Sequence, residues 1–226
     1  MSAFEQDHCD DGAAAPGQEA EAQDGRSLRR HSPCFTPGVL IATPRGEMPV
    51  ETLRVGDKVV TRDNGIQEIR WVGQTEVPGT ELRLHPHLQP IRIKAHALGH
   101  GLPERDMLLS PNHRVLVAGD STPLHFDEPE VLVAAKHLVN RAGIHGVASI
   151  GIAYVHFLCD RHEVVLSNGA WTESFQPMDD ALNGLCNAQR NEIYELFPGL
   201  RTAAGAGSWT AARRVLTRRE AQRIQG

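Results

Sequence analysis

Hydrophobic residues in this chain come in short runs across the stretch from residue 34 to about 175. They are Val39-Leu40-Ile41, Val59-Val60-Thr61, Ile66 to Val72, Leu82 to Leu84, Ile91-Arg92-Ile93, Val115-Leu116-Val117, Val131-Leu132-Val133, Tyr154 to Leu158 and Val164 to Leu166. Each run is too short for a helix that buries one face, and Ile91, Ile93 and Ala95 alternate with polar neighbours as strand residues do. Turn formers separate the runs: Pro44-Arg45-Gly46, Val55-Gly56-Asp57, Asp63-Asn64-Gly65 and Asn168-Gly169. Many short β-rich runs divided by frequent turns predict an all-β domain.

The two ends of the chain read differently. Residues 1–33 carry Asp7, Asp10, Asp11, Glu19, Glu21 and Asp24 among Gly, Ala and Gln, with Phe4 as the one aromatic. So little apolar surface cannot offset the entropy of ordering, so the stretch reads as a disordered acidic leader. From residue 176 to 226 the spacing turns helical. Leu185 to Leu196 repeats at three and four and stops at Phe197-Pro198-Gly199. Thr210 to Ile224 carries five arginines and reads as a helix, either packed on the body through Val215, Leu216 and Ile224 or binding a partner through its basic face.

Composition narrows the function classes. Among 226 residues the net charge is -5, which gives no global pull toward nucleic acid or membrane surfaces. No apolar run reaches the ~18 residues of a membrane span, and the acidic start does not resemble a secretory signal. The expectation is a monomer that is cytoplasmic or exported by a route needing no signal. Cys9, Cys34, Cys159 and Cys186 contain no CxxC pair, which speaks against a disulfide framework and a zinc ribbon. His85 with His87, and His96 with His100, are spaced for metal binding, but no further ligand completes either site, so no metal or other cofactor is expected.

Cys34 opens the folded region directly after the leader, followed by Phe35-Thr36-Pro37-Gly38. Its thiol can reach the carbonyl of Pro33 through a five-membered ring, exchanging an amide for a thioester. A small buried residue at a strand start is the plainer reading of that position alone. Added to the residues that follow, it gains meaning. The run Cys34 to Thr61, with Gly56-Asp57 before a strand, resembles the opening of inteins and hedgehog autoprocessing domains, and Ile69-Arg70-Trp71-Val72-Gly73 is similar to a bacterial branch of this Hint group. Ser110-Pro111-Asn112-His113 resembles the family's internal motif, a hydroxyl three positions before a histidine. His162 to Ala170, a histidine before a strand ending in Asn168-Gly169, looks like the penultimate intein block.

The resemblance implies a flat, horseshoe-like all-β Hint fold with pseudo-two-fold symmetry over residues 34–175, followed by the helical extension over 176–226 that the spacing predicts. It implies that Cys34 is the nucleophile and that His113 contacts the scissile nitrogen, assisted by Ser110. A neutral-range imidazole suits that task, because an amide nitrogen leaves only when protonated. His156, Asp160 and His162 share strand parity and are further candidates around the nucleophile, with Asp160 alternatively paired to Arg161 or Arg114. Inteins end in asparagine and a second nucleophile, whereas Thr172-Glu173-Ser174-Phe175 has neither, so full splicing is not expected. What remains is a single-turnover cleavage of the chain's own Pro33–Cys34 bond, completed by water, an amine or a hydroxyl. The shortness of the leader favours a rival, a catalytically silent Hint fold serving interaction or secretion. A DNA-binding role through the arginine-rich segment is a third reading.

Overall fold

The computed structural model describes residues 32–119, 121–139 and 142–224. The leader expected over residues 1–33 therefore lies outside the described residues, apart from Ser32 and Pro33. Thirteen strands run through them. The first half holds β1 (Leu40–Thr43), β2 (Gly46–Pro49), β3 (Lys58–Val60), β4 (Ile66–Glu68), β5 (Trp71–Pro78) and β6 (Ile91–Ile93). The second holds β7 (Met107–Leu109), β8 (Arg114–Ala118), β9 (Glu130–Ala134), β10 (Ile144–Gly146), β11 (Gly151–Leu158), β12 (Val164–Ser167) and β13 (Ala170–Glu173). Six short helices accompany them: α1 (Gly79–Leu84), α2 (Ser121–Phe126), α3 (Asp179–Asn183), α4 (Asn187–Leu196), α5 (Ala203–Ser208) and α6 (Arg218–Arg223).

All strand pairings are antiparallel, in a six-stranded sheet ordered β2-β1-β12-β13-β8-β9, a three-stranded sheet β10-β6-β7, and the pairs β11-β5 and β3-β4. No closed barrel forms among the described residues. The predicted Asn168-Gly169 turn joins β12 to β13, and both residues take positive φ (46° and 79°), as the tight hairpin turn requires. One apolar core, including Phe35, Ile41, Val59, Ile93, Leu109, Val133, Phe157 and Val165, lies between the sheets. A second, built from Trp71, Leu158, Phe175, Ala181, Leu182, Leu185 and Ile193, glues α3 and α4 to the end of β11.

Three expectations are corrected here. Leu82 to Leu84 is the end of α1, not a strand: Pro78 starts the helix, Leu82 is buried and Leu84 is 76% exposed. Thr210 to Ile224 is not one helix. Val215 pairs in parallel with Leu132, Leu132 N–H donates to Arg214 O, and only Arg218–Arg223 is helical, behind a Thr217/Glu220 capping box. The unpaired edge of β9 supplied hydrogen bonds that outweighed local helix propensity. Leu216 and Ile224 nevertheless pack into the main core, as the sequence suggested. Third, β11 ends at Leu158, before Asp160, so strand parity cannot be carried across to it. No helix among the described residues is long and apolar enough to cross a membrane.

Candidate functional site

The segment Cys34–Phe35 is threaded between two strands. Phe35 bridges Leu109 at the end of β7 and Val155 within β11, exchanging both backbone hydrogen bonds with Val155 (2.9 Å each). Ser110 N–H donates to Cys34 O at 3.0 Å. This pairing sets the rest, because the neighbours of Leu109 and Val155 are Ser110 and His156. Both side chains are thereby brought to the Pro33–Cys34 peptide.

Around that peptide four buried polar groups meet. Cys34 N–H donates to Ser110 Oγ at 2.9 Å, and Ser110 Oγ donates to Ser32 O at 3.2 Å. The Cys34 thiol donates to Ser32 O at 3.0 Å. One edge of the His156 ring meets both the carbonyl and the thiol: Nδ1 lies 3.2 Å from Pro33 O, and Nε2 lies 3.6 Å from Cys34 Sγ. Because the carbonyl can only accept, Nδ1 carries the hydrogen in the neutral ring and Nε2 presents its lone pair to sulfur. A cleft of ≈ 740 Å³, lined by Ser32, Cys34, Ser110, Tyr154, His156 and Cys186 among others, leads to this point.

The family profile described as the Hint domain matches residues 33–179, about two thirds of the chain. The chain belongs to the Hint domain family. No curated protein matches it. Among solved structures, a bacterial intein-like domain from Clostridium thermocellum is 13% identical, with 62% of this chain and 96% of that chain covered at a TM-score of 0.40. A DnaB intein from Synechocystis sp. PCC 6803 is 11% identical, with 63% and 99% covered at 0.40. The gp41-1 intein is 11% identical, with 62% and 97% covered at 0.37.

The other residues that the sequence singled out in this Hint domain lie at different places. His113 is buried, its ring edge-on to Phe35 at 4.3 Å between centroids, and its backbone N–H donates to Ser110 O. Neither of its ring nitrogens has a hydrogen-bond partner among the described residues, so it is Ser110, and not His113, that bonds the Cys34 nitrogen. His162 belongs to another network. Its Nδ1 accepts from Ala212 N–H (2.9 Å), which leaves Nε2–H to donate to Glu173 Oε2 (3.1 Å). Glu173 is wholly buried and also takes the Arg114 backbone N–H (2.8 Å) and guanidinium (3.0 Å). Asp160 is not at the site: it is 61% exposed and pairs with Arg70 at 3.4 Å, a partner the sequence did not suggest. His85 and His87 line the cleft, and His96 Nδ1 is 2.7 Å from Gly101 O.

Burial dominates the electrostatics. It pushes the Cys34 thiol far above its ordinary range; the nearby Ser110 hydroxyl opposes this and the charge of Glu173 adds to it. Burial also lowers His156 to about 4, against the opposing hydrogen bond to Pro33, and lowers His113 to about 4. Burial alone would raise Glu173, but Arg114 and His162 hold it below its ordinary value. At neutral pH the site therefore contains a neutral thiol and neutral imidazoles beside a single paired carboxylate. Sequence reasoning missed Ser32, whose carbonyl takes both the thiol and the hydroxyl hydrogen. Only its place next to the predicted scissile bond could have pointed to it.

Proposed function

We propose that this Hint domain cleaves its own Pro33–Cys34 bond through a Cys34 thioester. The supporting observation is the single imidazole of His156 spanning Pro33 O and Cys34 Sγ. A turn about the Cys34 Cβ–Sγ bond swings the thiol hydrogen from Ser32 O toward His156 Nε2. As sulfur attacks the Pro33 carbonyl carbon, Nε2 takes the proton and the Nδ1–H bond stabilises the oxyanion. The tetrahedral intermediate then collapses: the C–N bond breaks, the C–S bond remains, and the proton passes to the freed Cys34 nitrogen beside Ser110. Relative to the starting amide, one proton has moved from sulfur to nitrogen.

The thioester faces the cleft, from which water, an amine or a hydroxyl attacks the same carbon. The C–S bond breaks, the thiol is restored, and the segment ending at Pro33 departs as an acid, amide or ester. Splicing has no second arm here. Glu173 is engaged by Arg114 and His162, and Ser174 Oγ accepts from Glu163 N–H at 2.9 Å. His113, held unprotonated by burial, serves in this reading to pack against Phe35 rather than to deliver the proton.

The test is intact mass of the purified chain, incubated with and without hydroxylamine. Loss of residues 1–33, blocked by Cys34→Ala, is the expected result. A wild-type chain that stays whole under every nucleophile would leave a Hint fold that acts only through binding. That rival draws support from the thiol hydrogen resting on Ser32 O, away from the base.

A further inference from the structure

The residue before Pro33 is held by a part of the chain outside the Hint match. Ser32 is buried, and its Oγ donates to Ala181 O at 2.6 Å. Ala181 lies in α3, and its carbonyl also receives the N–H of Gly184, which ends that helix. Gly184 has φ -76° and ψ -14°, a conformation open to any residue, so the glycine is not needed for its backbone. It is needed for space: a Cβ there would overlap Ser32 Oγ and stand 3.2 Å from Ser32 Cβ. Ala181, Leu182 and Leu185 are anchored in the second apolar core with Trp71 and Phe175, so the turn cannot easily retreat. Both Ser32 and the 181–184 turn fall outside residues 33–179.

We infer that the turn closing α3 is a seat for a small side chain at position 32, and that this seat aligns the scissile peptide. The hydroxyl bond to Ala181 O and the missing Cβ at Gly184 fix Ser32 from one side. The Ser32 carbonyl is then aimed at the Cys34 thiol and Ser110 hydroxyl on the other. Glycine, alanine or serine fits the seat; a branched or long side chain does not. The helical extension is thus a positioning element and a specificity filter for the departing segment. Its kinetic consequence rests on the self-cleavage reading, but the docking itself does not.

Two readouts on the full chain keep these apart. The first is alkylation of Cys34 by iodoacetamide, followed by peptide mass; the second is cleavage in hydroxylamine. Gly184→Ala is expected to speed Cys34 alkylation and slow cleavage, each at least tenfold, with the unfolding temperature little changed. Ser32→Leu, which fills the same seat from the segment itself, is expected to do the same. Combining Ser32→Gly with Gly184→Ala should return both rates to those of Ser32→Gly alone, a rescue that general destabilisation would not give. Wild-type alkylation rates in both Gly184→Ala and Ser32→Leu would overturn the seat. Exposure of Cys34 in those variants without any cleavage by wild type would keep the seat and reject the self-cleavage reading.

Discussion

Replacing His156 tests the division of labour at the Pro33–Cys34 bond. Glutamine in its place keeps an N–H of similar reach toward Pro33 O but cannot take a proton from sulfur, whereas alanine removes both functions. Loss of a positioned general base costs roughly 10²–10⁴ in rate. Loss of an oxyanion donor costs a further factor, on the order of 10²–10³ when measured alone, though one ring serving both roles makes the two less than multiplicative. His156→Gln is therefore expected to slow the acyl shift by about 10²–10⁴, and His156→Ala by at least about tenfold more. The assay is quenched intact mass in saturating hydroxylamine, so that thioester formation limits the rate. The pH profile adds an independent check. With His156 lowered to about 4, only about one ring in a thousand is protonated at pH 7. The wild-type rate should be flat between about pH 6 and 8 on this account, and fall only as the medium approaches pH 4. A bend near the ordinary histidine value of about 6.5, or a His156→Gln rate within about threefold of wild type where the base alone is worth 10²–10⁴, would refute the assignment. In that case His113→Gln should prove the damaging change instead.

Further outcomes follow from the packing and the charges. His113 and His156 fall from 6.5 to about 4 on folding, so between those values the unfolded chain binds protons that the folded chain refuses. Stability should drop as pH falls through this window, by about 3 kcal/mol per histidine at its acid end, and His113→Leu should remove roughly half of that loss while adding about 1 kcal/mol at pH 7, read by urea unfolding. Glu173→Gln leaves Arg114 and His162 without their buried carboxylate and should cost about 3–5 kcal/mol at pH 7. Since the folded Glu173 carboxyl lies below its ordinary value, its contribution is present above the ordinary carboxylate range and fades as pH falls through it, a slope the glutamine variant should lack. Leu216→Ala should cost about 2–5 kcal/mol in the same assay, because Leu216 is buried in the main core and holds the 210–217 segment on β9.

The strands were legible in the sequence where an apolar run lay between turn formers. β1, β3, β6, β8, β9, β11 and β12 all coincide with such runs. β2, Gly-Glu-Met-Pro, was hidden because its residues lie on an exposed edge and carry no run. β7, β10 and β13 have three or four residues each and lie outside those runs; each is paired with a neighbouring strand. The same logic misled the reading at the C-terminus, where apolar spacing suited a helix but the free edge of β9 claimed Val215. Local pattern reports what a segment can bury; it does not report which edge will be waiting for it.

The site shows the same limit more sharply. Cys34, Ser110, His113, His156 and His162 could all be named from motif and order, yet which imidazole faces the bond depends on cross-strand register. Phe35 meets Leu109 on one side and Val155 on the other, and that pairing places His156 over the carbonyl. A shift of one residue in the β11 pairing would turn His156 to the opposite face and bring Val155 or Phe157 in its place. Burial then decides the protonation states: the enclosure that aligns the groups also keeps the thiol from ionising, so no thiolate waits beside the carbonyl. In the proposed self-cleavage, attack is therefore coupled to transfer of the thiol proton to His156, over the 3.6 Å between sulfur and Nε2. A site of this kind depends on alignment more than on a preformed charge, and the alignment is fixed from both sides of the bond, by β11 at Val155 and by the α3 turn at Ser32.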